Sequence, residues 1–591
     1  MPDRPNFFII VADDLGYSDI GSYGGEIYTP NIDSLASDNG GQRFTSFHVA
    51  AACSPTRAML MTGTDHHLTG LGQLAEMVRN SPAHQGKPGH EGYLTDRVAA
   101  MPELLRDGGY YTMMAGKWHL GLKPEYGPKA RGFDRSFSLL PGCANHYAFE
   151  PDYEKVEEPP RFFETAVTAL HAEDGQYINK LPEDFYSSDA FASKLIQYLD
   201  ERSVEEKEKP LFAYLPFSAP HWPLQAPKES MDKYRGMYDD GPDALRLRRL
   251  HRLKELGLLD PNIVPHEIVA VGREQGHWNT LTDYERAKSA RSMEAYAGMV
   301  DRMDHNIGRI LDSLKASGEY DNTYILFMSD NGAEGASYEA RDMIREDILT
   351  HIAKYYDNSL DNIGRANSFV WYGNRWAQAA TAPSRLYKMF STQGGCHVPL
   401  VVKPAVQQKN DRPSGNAIIP AFCTVQDILP TLLDLAGLQH PAPNYRGREI
   451  LPMRGKSWKD FLSSPSIDDV FAIHGPDHAT GFECAGSGAL RRGRYKITYV
   501  PAPHGPQRWE LFDIEDDPGE TKDISAQQPE EFEALLKLWE EYKNEVGVVG
   551  VREELGDGSE NAFKDDFEDV GRVTRWIGKE DVPEHVKPKF W

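Results

Sequence analysis

Short uninterrupted apolar runs recur along the chain, and between them lie longer stretches whose apolar residues repeat at helical spacing. The run NFFIIVA at 6–12 has no polar position after Asn6, so both its faces must be covered, which predicts a buried strand. Segments 110–115, 210–217, 323–328 and 398–402 read the same way. Helical spacing predicts helices at 101–107 and 282–317, the second with Tyr296, Met299, Val300, Met303, Ile307, Ile310, Leu311 and Leu314 on one stripe. A further helix at 424–436 is closed by Gly437. Strand and helix signals alternate, which predicts an α/β fold, a large and mainly parallel sheet with helices on both faces.

Two regions read differently. In 243–257, Leu247, Leu250, Leu253 and Leu256 recur among Arg and Lys, which predicts an amphipathic surface helix. After the proline-rich passage 440–452, segments 470–474, 490–500 and 509–514 read as short strands and 529–544 as a charged helix. The chain is therefore expected to divide into a large domain, 1–440, and a smaller C-terminal domain, 441–591, built as an antiparallel sheet with a helix and a tail.

Length supports that division, since 591 residues exceed one ordinary core. Lys and Arg number 64 against 89 Asp and Glu, a net charge of -25 that repels nucleic acid and acidic membranes in bulk. A small anionic substrate is still admitted by a local cluster of cations. The five cysteines show no paired spacing, so neither a disulfide framework nor a zinc site is indicated. No run approaches transmembrane length, and the apolar run 7–12 is shorter than a secretory core and ends in Asp13 and Asp14. A cytoplasmic protein without nucleic-acid or membrane partners is the simplest expectation.

Candidate chemistry begins at Cys53-Ser54-Pro55-Thr56-Arg57. Pro55 suits a first helical position and Ser54 a cap, so a nucleophile and backbone N–H groups would meet where an anion sits. Arg57 adds a planar cation. Asp13-Asp14 and Asp330-Asn331 each follow a predicted strand, and together they offer three carboxylates and an amide oxygen, a ligand set for a hard divalent cation. Lys117 and His119 are two apart, so an extended segment would project both to one side. His66-His67 is read as structural, because adjacent histidines point apart in a helix or a strand.

These motifs resemble the formylglycine-dependent sulfatases of the alkaline phosphatase superfamily, most of all the bacterial-type arylsulfatases. The likeness rests on the Cys-x-Pro-x-Arg signature, on 109–119 (GYYTMMAGKWH), on Ala219-Pro220-His221-Trp222-Pro223 and on 371–395, and it covers most of 5–545. The resemblance implies that a maturation enzyme converts Cys53 to formylglycine, whose hydrate attacks sulfur and leaves a sulfated hemiacetal. It implies that Arg57, Lys117 and Lys388 hold the sulfate, that His221 serves the leaving oxygen and that His119 is the base that breaks the hemiacetal. Residue 53 would join Asp13, Asp14, Asp330 and Asn331 around one cation, calcium with magnesium as the alternative. The reaction implied is hydrolysis of small aryl or alkyl sulfate monoesters, with Trp222, Phe149 and Tyr147 as an apolar entrance. A phosphonate monoester or phosphodiester hydrolase, and a non-catalytic anion-binding protein, are the competing readings.

Overall fold

The computed structural model describes residues 4–38, 40–80, 83–149, 170–270, 277–335, 352–406, 415–463 and 473–550. Ten strands form one sheet, in the order 417–419, 42–44, 400–403, 323–329, 6–12, 211–216, 111–117, 135–139, 171–173, 176–177. Its five central strands, Thr323–Ser329, Asn6–Ala12, Leu211–Pro216, Tyr111–Lys117 and Arg135–Leu139, run parallel, and antiparallel pairings appear toward the edges. Every residue of Asn6–Ala12 is buried, as the absence of alternation requires. Phe8 and Ile10 join one apolar core and Phe7, Ile9 and Val11 another, so the sheet is covered on both faces. Each such side chain contributes roughly 1.5–3 kcal/mol by leaving water.

The helix Asp283–Ala316 packs on one face and carries the expected apolar stripe, with Thr282 capping it by accepting from the Glu285 N–H. The α/β expectation is met, and the smaller antiparallel sheet is also present. It comprises Ala479–Cys484, Ser487–Arg492, Tyr495–Tyr499 and Trp509–Asp513, with helix Pro529–Val546 against it. The segment 490–500, read as one strand, is the middle of a hairpin: Gly493 at φ 55 turns the chain between two strands. Of the expected strand 470–474, residues 470–472 lie outside the described residues, as does the tail from 551. No helix among the described residues is long and apolar enough to cross a membrane.

The 243–257 segment differs from its sequence reading. Helix Pro242–Glu255 buries Leu245, Leu250 and Leu253 but leaves Leu247 66% exposed. It also buries Arg249, whose guanidinium reaches Glu26 at 2.8 and 2.9 Å and also Asp19. The leucine periodicity of three drifts round a 3.6-residue helix, so Leu247 falls off the packed face.

Candidate active site

Adjacent parallel strands deliver the polar residues to one edge of the sheet, the carboxyl edge where open α/β sheets hold ligands. Asn6–Ala12 leads into Asp13 and Asp14, and its neighbour Thr323–Ser329 into Asp330 and Asn331. On the other side Tyr111–Lys117 ends in Lys117, and Leu211–Pro216 leads to His221. The Asp13 N–H donates to Ala219 O at 3.0 Å, which ties the first loop to the His221 loop. Asp14 takes a left-handed conformation, φ 70, tolerable for a short polar residue and needed to turn its carboxylate toward Asn331.

Cys53 opens the buried helix Cys53–Thr62, and Arg57 stands one turn on. The helix starts two residues earlier than Pro55 suggests: Ala52 occupies the cap position, and the buried Ser54 hydroxyl makes no hydrogen bond. Proline is still accommodated, because the first-turn N–H groups have no intrahelical acceptor to lose.

The cations and carboxylates interlock. Arg57 donates from Nε to Asp330 Oδ2 at 2.8 Å and from Nη1 to Lys117 O at 2.8 Å, and its Nη2 lies 2.7 Å from Asp330 Oδ2 and 3.6 Å from Asp13 Oδ1. Lys117 Nζ donates to both oxygens of Asp13, at 2.9 and 2.7 Å. Lys388 Nζ stands 2.9 Å from Asp14 Oδ1 and 2.8 Å from Glu334 Oε2. His221 directs Nδ1 to Trp222 O at 2.6 Å, and its Nε2 lies 3.4 Å from Asp14 Oδ2. His119 Nε2 faces Glu76, 3.3 Å from Oε1.

Burial governs the ionisation of these groups. It pushes the Asp13 carboxyl well above its usual range, with Lys117 as counterweight and Asp330, Cys53 and Asp14 adding repulsion. The Cys53 thiol is also pushed up by burial, against the pull of Lys117 and Lys388. Burial is the largest influence on Lys117 and Lys388 and opposes their charge, but Asp13, Cys53 and Asp330 around the first, and Asp14, Cys53, Glu334 and Asp13 around the second, together outweigh it and hold both above the ordinary lysine value. His119 is lowered by burial in spite of Glu76, and His221 is lowered well below the imidazole value by burial, Lys388 and Lys117.

The residues suit a hard cation. One triplet of donor atoms, from Asp13, Cys53 and Asp330, lies within 4.8 Å of one another, and a second comes from Asp14, Cys53 and His221. Asn331 donates its amide to Asp14 and to Gly332 O, while its buried Oδ1 accepts no hydrogen bond. Crowded carboxylates beside an unpaired amide oxygen are what a divalent ion would relieve.

Two readings of the sequence need correction. His119 is not carried to the side of Lys117 by strand pleating: the strand ends at Lys117, and His119 is turned by its own left-handed backbone, φ 58. The rings of His66 and His67 do not point apart but lie 4.0 Å centroid to centroid, because Asp65 caps a single short turn there. Trp222 and Phe149 join one line of rings through Phe369 and Tyr356, whereas Tyr147 packs on Tyr186. Glu76 and Glu334 were not anticipated; the only hint of Glu334 is its place four residues after Asp330.

Comparison with known proteins follows the same outline. The family described as Sulfatase matches residues 5–438. An uncharacterized sulfatase of Schizosaccharomyces pombe is 48% identical over 92% of this chain and 94% of its own length. The arylsulfatase of Klebsiella aerogenes is 36% identical over 77% of this chain and 91% of its own. Among solved structures, Ps i-CgsB in complex with k-i-k-neocarrahexaose superposes with a TM-score of 0.61 at 24% identity, covering 91% of this chain and 93% of that one.

Proposed function

The chain belongs to the sulfatase family of sulfuric ester hydrolases, and on that premise we propose that it hydrolyses aryl or alkyl sulfate monoesters at residue 53. The observation that carries this reading is the convergence of Arg57, Lys117 and Lys388 on the carboxylates around a buried Cys53, with His119 and His221 at the same sheet edge. The division into a catalytic domain, 1–440, and a C-terminal domain, 441–591, belongs to the same proposal. It is supported by the apolar cluster that the small sheet forms with helix Pro529–Val546, while Tyr445, Ile450, Trp458 and Leu462 pack in the core of the large sheet. A cytoplasmic location is supported by five buried, unpaired thiols.

A plain thiol suits the role poorly, because burial keeps Cys53 protonated at neutral pH. Formylglycine made from it by a maturation enzyme would supply a hydrated aldehyde, with two hydroxyls where the thiol has one nucleophilic atom. A divalent cation, calcium or alternatively magnesium, held by Asp13, Asp14, Asp330, Asn331 and residue 53 would supply Lewis-acid polarisation of the sulfuryl oxygens. Arg57, Lys117 and Lys388 offset charge on those oxygens. His221 keeps Nδ1 on Trp222 O, which leaves Nε2 to carry a proton to the departing oxygen. Burial first, and Lys388 and Lys117 after it, hold its pKa down, and the negative charge of a bound sulfate ester would offset the part that the two lysines contribute. His119, buried and neutral at working pH, would accept the proton of the hydroxyl that remains on the sulfated hemiacetal, so that the bond from carbon to the sulfate oxygen breaks as the aldehyde re-forms. The line of rings from Trp222 through Phe369 to Tyr356 and Phe149 supports an aryl or long alkyl leaving group, in keeping with the Klebsiella relative's name.

The test is turnover by protein produced together with a formylglycine-generating enzyme, with the peptide bearing residue 53 weighed in the same preparation. An aldehyde at 53 with faster cleavage of 4-nitrophenyl sulfate than of a phenyl phosphonate ester is expected. Faster phosphonate cleavage, or no turnover of either ester by protein that carries the aldehyde, overturns the reading.

A further inference from the structure

Glu76 lies in the short helix Ala75–Asn80, outside every motif that the sequence reading used. Its carboxylate meets the His119 ring at Nε2, 3.3 Å from Oε1 and 3.4 Å from Oε2, with side chains only 11% and 6% exposed. The ring is seated from other sides as well. The His119 N–H donates to Leu140 O at 3.1 Å, which fixes the left-handed turn that carries the side chain. Gly142 passes over the contact, and a Cβ there would come within 2.9 Å of His119 Nε2 and 3.2 Å of Glu76 Oε1. Nδ1 is buried and makes no hydrogen bond.

A neutral imidazole has one N–H and one bare nitrogen, and a carboxylate can only accept. The nitrogen facing Glu76 must therefore carry the hydrogen, and the lone pair must sit on Nδ1. We propose that Glu76 is the positioning residue of His119: it holds the ring by the Nε2 hydrogen, fixes the tautomer with Nδ1 bare, and so makes Nδ1 the atom that takes the proton during turnover. The inference rests on the proposed role of His119 as base. When Nδ1 gains that proton the ring becomes an imidazolium, and Glu76 offsets the new charge until the proton returns to water. The charged groups facing the ring are Glu76 from its helix, Lys117 from the strand end and Arg57 from the helix Cys53–Thr62. Both cations disfavour the imidazolium, so Glu76 supplies the opposing charge.

Glu76→Gln, Glu76→Asp and His119→Ala are compared with the parent, all carrying the aldehyde at residue 53, by kcat and KM for 4-nitrophenyl sulfate across pH. Glu76→Gln is expected to lower kcat by about 10- to 100-fold with KM within about twofold. It is also expected to move the acid limb of the kcat profile to lower pH, because the imidazolium has lost its counter-charge. Glu76→Asp, which keeps the charge on a shorter arm, is expected to regain part of kcat and to keep the limb near its parental position. A Glu76→Gln enzyme with parental kcat and acid limb, or one altered in KM alone, overturns the proposal. Should Glu76→Gln fail to fold, an Asp variant with the acid limb displaced as far as that of an unpaired histidine overturns it equally. Should His119→Ala retain full activity, the assignment of the base fails first; loss in His119→Ala with no effect at Glu76 sinks the positioning role alone.

Discussion

Lys388 serves two carboxylates at once. Its buried ammonium spans Asp14 and Glu334, and the backbone on either side is pinned, with Lys388 N–H on Ala333 O at 3.0 Å and Met389 N–H on Ala51 O at 2.7 Å. Lys388→Met keeps the length of the side chain but leaves two carboxylates without their shared counter-charge. Removing one partner of a buried pair costs about 3–5 kcal/mol. The variant is therefore expected to unfold at lower denaturant concentration and to lose at least about 100-fold in kcat/KM. Chemical unfolding and steady-state kinetics check the two effects separately, and an unchanged kcat/KM removes Lys388 from the sulfate site. Cys53, Arg57 and the pairs Asp13-Asp14 and Asp330-Asn331 stood out because each sits in a short motif whose residue types carry chemistry, whereas Lys117, His119, His221 and Lys388 took their roles from the family resemblance. Glu76 and Glu334 were legible in neither way, because a carboxylate that serves another side chain has no local pattern: its meaning lies in a contact that only the fold creates, over 43 residues for Glu76 and His119.

At the level of elements the sequence shows strands most clearly where both faces are buried, as in Asn6–Ala12, since an unbroken apolar run has few other uses. Boundaries set by a single glycine are harder to see, and the turn at Gly493 was hidden inside what read as one strand. Helix Pro242–Glu255 shows a third limit. Its arginines look like a solvated face, yet Arg249 is buried because two acids, Asp19 and Glu26, come to it from the loop after the first strand. The two faces of this helix therefore respond oppositely to substitution. Arg249→Met removes the cation that both acids share, leaving them the hydrogen bonds from Tyr296, Gly16 and Tyr238, and is expected to cost about 3–5 kcal/mol. Leu247→Glu on the exposed face is expected to change stability by less than about 0.5 kcal/mol. Paired unfolding curves test this, and a larger loss at Leu247 than at Arg249 would mean that the helix packs by its leucine repeat after all.

Across the whole molecule, the small C-terminal sheet braces two segments that frame the site. Arg385 and the Gln393 N–H, on either side of Lys388, reach Glu510 at 2.8 Å and Glu520 at 3.1 Å. On the exit of the helix Cys53–Thr62, His67 is held between two acids, Nδ1 to Asp65 at 2.9 Å and Nε2 to Glu483 at 3.0 Å, while Tyr542 donates to Asp65 at 2.8 Å. Burial opposes the charge on His67, but its hydrogen bonds to Asp65 and Glu483 prevail and raise its pKa to about 9. His66 beside it is driven the other way, to about 4, by burial and by the charge on His67. A histidine raised on folding stabilises fully below its unfolded pKa of about 6.5, and that contribution is lost as pH rises through the folded value. For His67 the window is therefore from about 6.5 to 9, and the shift corresponds to about 3 kcal/mol. His66 is opposite in sign, its contribution present above about 6.5 and lost as pH falls toward 4, so the two are separated by substitution rather than by one pH curve. The gap in unfolding midpoint between the parent and His67→Gln is expected to be widest near pH 6 and to shrink by at least half near pH 9.5. A gap constant across that range would mean that His67 serves only as a neutral hydrogen-bonding bridge, and that charge plays no part in fastening the small sheet beside the site.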